Sequence, residues 1–172
     1  MKASTLLATI TTLFFVGCVN DASPKIESPL NGKLIQDQKL VSQINASPNT
    51  ITINEVEYTL ESSVWIDLMP SIDPFSDGLY AFSALVRVDG NTKQSDIEIV
   101  QYYIVNGKEI WVPDDTEVRQ NQSSPNRLEI ISREGPAWDR DSKLNIGLKI
   151  KIQKTGKLFW LLSPNVPIEE TH

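Results

Sequence analysis

The two residue types that carry most nucleophilic and acid–base catalysis occur once each: histidine only as His172, cysteine only as Cys18. With no histidine inside the chain, the usual general base at neutral pH is missing. A Ser–His–Asp arrangement cannot be assembled either. Zinc, copper and haem sites draw mainly on His and Cys, so no cofactor is expected. The glycine spacings that cradle phosphates or dinucleotides are absent, as are HExxH and GxSxG. Two carboxylates could still perform acid–base chemistry, but no spacing singles out a pair.

Oxygen ligands and aromatic rings remain as candidates. Asp73, Asp77, Asp114, Asp115, Asp139 and Asp141 fall in expected loops. Calcium takes several oxygens converging on one point, and Asp139-Arg140-Asp141-Ser142 opens like a calcium loop. It then departs from the pattern: Leu144 stands where the sharp-turn glycine belongs and Ile150 where the closing Glu belongs. Backbone-bonding turn chemistry explains these residues equally well. Asp139 and Asp141 stay as weak calcium candidates, and no metal is assigned. Four tryptophans, Trp65, Trp111, Trp138 and Trp160, could stack on sugars or anchor a protein when exposed. Trp65 and Trp138 are the two candidate ligand contacts. Trp160 shares a face with Leu158 and Leu162, so it reads as core.

Strands must position these groups. Residues 144–152 alternate Leu144, Ile146, Leu148, Ile150 and Ile152 with Asn145, Gly147, Lys149 and Lys151, a strand with one buried and one wet face. Thr155-Gly156 turns the chain into a partner strand at 158–162. Residues 99–105 run into Asn106-Gly107, a pair suited to a type I′ turn, and 109–112 return. In 80–88, Tyr80, Phe82, Ala84, Val86 and Val88 are expected to point inward. Strands are also expected at 64–69, ended by Pro70, and at 128–132, with 50–60 either one strand or a hairpin about Asn54-Glu55. In 64–69, Val64, Ile66 and Leu68 share a face and Trp65 lies on the other. About seven short antiparallel strands with Gly and Pro turns point to an all-β, immunoglobulin-like sandwich. A small β-barrel is the alternative. The open edges of such a sheet could accept a partner strand. Lys149, Lys151, Lys154 and Lys157 along the last hairpin could instead block edge-to-edge pairing. The polar segment 113–126 reads as a long loop.

The chain has 172 residues, with 16 basic and 22 acidic, a net charge of −6. An acidic chain without a basic cluster argues against nucleic acid and against a polybasic membrane patch. Lys2 precedes an uncharged, apolar run at 3–16 that is shorter than the ~20 residues a spanning helix needs. A basic start, a short apolar run and a small residue before a cut describe a secretory signal. Phe15-Val16-Gly17-Cys18 resembles the lipobox of bacterial lipoproteins. That resemblance implies cleavage before Cys18 and acylation of its thiol and new amine, which leaves no thiol for a disulfide or for catalysis. The expected organisation is then a signal at 1–17, a lipidated N-terminus and flexible tether at 18–48, and a β-sandwich at 49–172. Several prolines and many polar residues support the tether, although 34–44 could form a brief helix. Val19 after the cysteine resembles lipoproteins sorted to an outer membrane.

Four further stretches stand in order: Trp65-Ile66-Asp67-Leu68-Met69-Pro70, Ile104-Val105-Asn106-Gly107-Lys108-Glu109-Ile110-Trp111, Gly135-Pro136-Ala137-Trp138 and Leu158-Phe159-Trp160-Leu161-Leu162-Ser163-Pro164. Together they resemble a family of uncharacterised small secreted or lipid-anchored bacterial proteins with an immunoglobulin-like sandwich, over about residues 60–170. The resemblance implies fold and envelope setting and brings no catalytic residue. The sequence therefore leads to a non-enzymatic, lipid-anchored binding or assembly module, held at the membrane through Cys18, with an envelope protein as partner and no nucleic acid. A calcium- or carbohydrate-binding protein and a protease inhibitor presenting the 113–126 loop are the alternatives.

Overall fold

The computed structural model describes residues 30–67, 78–91 and 96–171. The signal 1–17, Cys18, Asp73, Asp77 and His172 lie outside the described residues. In chain order the elements are β1 (Lys33–Ile35), α1 (Gln38–Asn45), β2 (Thr50–Ile53), β3 (Val56–Asp67), β4 (Leu79–Arg87), β5 (Ile97–Asn106) and β6 (Glu109–Val112). There follow β7 (Glu117–Gln120), β8 (Arg127–Gly135), β9 (Lys143–Ile152) and β10 (Leu158–Thr171). The all-β expectation holds. Nine strands form one path, β1-β6-β5-β9-β10-β3-β4-β8-β7, and β2 pairs with β3 beside it.

The strand β10 makes the sheet curl. Its first part pairs antiparallel with β9, and its last part, Ile168 to Thr171, runs parallel to β3. A register shift between Ser163 and Val166, where Pro164 lacks an amide proton and Asn165 has φ 56°, comes just before the change of partner, which falls between Pro167, still opposite Lys143, and Ile168, opposite Val64. A bulge at such a point bends the strand. The two halves of the open sheet then face each other across one core. Leu60, Val64, Leu85 and Ile130 from the β3-β4-β8 half meet Ile104, Leu144, Ile146, Leu148 and Ile150 from the β5-β9 half. A polar link crosses it: the Tyr102 hydroxyl meets Ser83 Oγ at 2.8 Å, and Ser83 Oγ meets Ser62 Oγ at 2.7 Å. Buried polar groups are costly unless bonded, and this chain of hydroxyls satisfies itself. Burial pushes the Tyr102 phenol well above its usual range, with the Ser83 hydrogen bond opposing in part.

Several expectations need correction. The inward face of β4 is Leu79, Ala81, Ser83 and Leu85; Tyr80, Phe82, Ala84 and Val86 alternate onto the outer face, and Val88 is exposed. The strand is apolar on both sides, so alternation alone could not choose. In β10, Leu161 is the core residue, while Trp160 and Leu162 face the other way and Leu158 is exposed. The Asn106 hairpin closes with Asn106 paired to Glu109, so Gly107 and Lys108 are the turn residues and only Gly107 has positive φ, 58°. That is the type II′ pattern rather than I′. The hairpin about Asn54-Glu55 is present, with φ 49° and 67°.

Two polar segments expected to be irregular are built in. Residues 30–48 are not a tether. Lys33 to Ile35 pair with Val112 to Ile110, and Val41 and Ile44 of α1 are buried. Asn31 fixes the entry: its side-chain amide donates to the carbonyls of Asp115 and Arg133 at 3.1 Å, and its oxygen accepts the Asp115 N–H at 3.0 Å. Within the expected 113–126 loop, β7 pairs with β8. Strands of three or four residues are too short for an alternation to be legible.

Candidate functional site

Two outer faces result, and one is partly covered by a helix. On the β5-β9-β10 half, Asp37 caps α1, its carboxylate accepting the Lys39 and Leu40 amide protons at 3.0 Å each. The helix lays Val41 and Ile44 onto Val105, Ile110, Val112 and Leu162. Ile44 sits over Gly147, where a Cβ would come within 2.7 Å of an Ile44 methyl. Thus Gly147, expected on a wet face, is the notch that admits the helix. Beside it Tyr103 and Trp160 stack at 5.6 Å, with the Lys149 ammonium 5.3 Å above the indole.

On the other half, no described element covers the outer face in this way. Trp65 of β3 faces out, as expected, and is half-buried. It stands opposite Tyr80 of β4 in the sheet, and the two rings lie at 5.7 Å and 7°. Phe82 follows two residues on, opposite Ile131 of β8, which in turn stands opposite Glu117 of β7. The result is an aromatic and apolar row, Trp65-Tyr80-Phe82-Ile131, running across three strands. Tyr80 and Phe82 keep part of their surface in solvent.

A bulge in β8 borders this row. Leu79 pairs with Gly135 but Ala81 pairs with Ser132, so Arg133 and Glu134 together oppose Tyr80. Glu134 adopts φ 59°, a backbone state that costs a non-glycine residue about 1–2 kcal/mol. Bulges of this kind re-aim side chains and collect near binding sites. Here the guanidinium of Arg133 reaches Glu117 Oε2, both terminal nitrogens at 3.2 Å. The pair lines an open groove of about 420 Å³ with Asn31, Asp115, Ile131 and Glu134.

Towards the opposite end the outer face is shielded by charge. Arg119 Nε meets Glu129 at 2.7 Å and Arg127 meets Glu61 at 2.6 Å. The Arg119 guanidinium, with the Asn121 amide, holds the Glu129 carboxyl below its usual range. Ala84 and Val86 are buried beneath this lattice although they belong to neither apolar cluster.

The remaining candidates are placed elsewhere. Trp138 is half-buried against the core, and its indole N–H donates to Glu109 at 3.0 Å. Trp111 is fully buried; its indole N–H donates to the Asn31 carbonyl at 2.6 Å, and its ring lies so close over Gly135 that a Cβ there would sit 2.5 Å from it. The Glu109–Trp111 hairpin and the Gly135–Trp138 turn are therefore locked onto each other, and their tryptophans are occupied by packing. The Asp139 carboxylate accepts the Asp141 N–H at 3.1 Å, an Asx turn, and Arg140 between them pairs with Glu170 at 2.9 Å. Among the described residues no three His, Cys, Asp or Glu side chains are grouped to hold a metal ion.

Trp65 was legible as an outward ring. Tyr80, Phe82, Ile131, Glu117 and Arg133 were not, because alternation in β4 points the opposite face inward and the composition around β7 is that of a loop. The small residues Ala81 and Ser83 alternating with Tyr80 and Phe82 were the available signal: a tightly packed inner face can use small residues where rings would not fit. Comparison of the chain with protein-family models, with curated proteins and with solved structures finds no match.

Proposed function

We propose that this chain is a lipid-anchored, non-catalytic binding module of a bacterial cell envelope, and that its contact surface is the outer face of β3, β4 and β8. The observation that carries the reading is the row Trp65-Tyr80-Phe82-Ile131, partly in solvent and ending at the Glu117–Arg133 groove, while α1 covers part of the matching face of the other half. Aromatic anchors beside an Arg are the composition of a recognition patch. The lipobox-like Phe15-Val16-Gly17-Cys18 supports the anchor, which would hold the domain at a membrane through acyl chains. The envelope partner is a protein on this reading.

A second reading, carbohydrate binding, is favoured by one feature. The near-parallel Trp65 and Tyr80 rings, in the row that ends at the polar groove, suit the apolar faces of sugar rings. One experiment separates them. Cross-linked pull-down from envelopes is run with the native chain, a Cys18→Ser chain, and a Trp65→Ala/Phe82→Ala chain. A protein enriched by the native chain and lost with the aromatic double variant supports the first reading. Enrichment unchanged by the double variant contradicts it. No protein enriched, with soluble glycans perturbing Trp65 fluorescence, supports the second.

A further inference from the structure

We infer that the β7 edge pairs with a second copy of this chain, through backbone groups that the aromatic row does not use, although Glu117 also lines the groove at the end of that row. Strand β7 ends the hydrogen-bonded path, and all four of its residues are exposed. Its bonding side can be read from the ladder. The Asn121 N–H donates to the Arg127 carbonyl at 3.2 Å, and the register then places Arg119 against Glu129 and Glu117 against Ile131. In an antiparallel ladder the bonded pairs alternate. Glu117 and Arg119 therefore direct their N–H and C=O groups to β8, while Val118 and Gln120 turn theirs to the free side.

The side chains of that edge are self-complementary. Exposed charges on an edge normally deter pairing. Here Glu117 and Arg119 flank Val118, share the outer face, and carry opposite signs; within one chain they meet each other at 3.3 Å, Arg119 also meets Glu129 at 2.7 Å and Glu117 meets Arg133 at 3.2 Å, so a second copy would share these partners. Two copies related by a two-fold axis through Val118 would exchange the Val118 N–H and C=O with each other. Each Glu117 would then stand opposite the other copy's Arg119, on both sides of the axis. Such an arrangement is isologous and closed. Val118, 45% exposed, would gain a partner. The strand at the other end of the path lacks this property: pairing β1 about Leu34 would set Lys33 against Ile35. The contact is short, far below the ~1,200 Å² of a stable interface, so the dimer is weak and forms at high concentration, as on a crowded surface.

The test is sedimentation velocity of the full chain over a concentration series reaching the millimolar range, with amide exchange at Val118 followed by NMR. The expected result is a mass rising from one chain toward two, with Val118 protected only at high concentration. Val118→Pro removes an amide that faces away from β8 and should abolish association while the melting temperature changes little. If Val118→Pro fails to fold, Glu117→Lys serves instead: it sets like charges across the pairing and should weaken association about tenfold. A mass that stays at one chain throughout overturns the inference, as does association that persists unchanged in the folded variants.

Discussion

The two outer faces of one curled sheet were given opposite treatments. On the β5-β9-β10 half, a short amphipathic helix lies over the strands, and a glycine beneath it is the space that lets Ile44 reach the sheet. On the β3-β4-β8 half, rings of similar size stand in a row with water on one side and an ion-paired groove at the end. Apolar area alone does not distinguish the faces; what differs is whether the chain supplies its own cover. Where it does, side chains contribute to stability. Where it does not, they are free to contribute to recognition.

The comparison breaks first at Ile44. Fully buried under α1, it should cost about 2–5 kcal/mol when changed to Ala, measured by urea unfolding. A loss below 1 kcal/mol would mean that the helix is not a true cover. Next in size is Gly147→Val. The added methyls have no room under Ile44 and should lift α1, at about 1–3 kcal/mol, with faster amide exchange across Gln38–Asn45. Exchange in α1 unchanged from the native chain would contradict the notch.

The link that ties the halves together is sharpened by pH. The Tyr102 phenol is raised in the folded state, so its neutral form is favoured there. The stability this contributes is fully present below the unfolded value of about 10 and is lost as pH rises above it. Tyr102→Phe should move the alkaline unfolding midpoint upward, read by circular dichroism across a pH series. A midpoint that does not move would assign alkaline unfolding to other groups. A smaller effect is expected at Glu129, whose carboxyl is lowered by Arg119. Its contribution is present above the unfolded carboxylate value of about 4.3 and falls as pH drops through the lower folded value. Glu129→Gln should flatten the acid limb of the stability profile, leaving neutral-to-alkaline behaviour in place. Trp65→Ala, at a half-buried ring, should cost less than the ~3–5 kcal/mol of a fully buried one, yet abolish the binding proposed above.

Much of the sheet was legible because the relevant strands have one apolar side. Leu144 to Ile152 shows its buried face directly, and Asn54-Glu55 marks the turn in one of the two readings of 50–60. The misread parts share a physical cause. β4 and the first part of β10 carry apolar residues on both sides, since one side meets the core and the other meets rings or α1. Alternation is silent there, and only the opposite layer decides. The segments 30–48 and 113–126 look like linkers by composition. They are held by Asn31, by Asp37 and by pairing with strands distant in sequence, none of which a local reading can see. The neighbours of Trp65 on the outer face depend on the face of β4: once Phe82 is turned outward, Ile131, Glu117 and Arg133 follow by register.

The most direct test of the aromatic face as a contact surface is site-specific photo-cross-linking in cells. A photoreactive phenylalanine is placed at Phe82, and in a separate chain at Val88, which is exposed beyond the same strand. A discrete adduct from position 82, absent from position 88, is the predicted result. No adduct at 82, or the same adducts at both positions, would contradict the account.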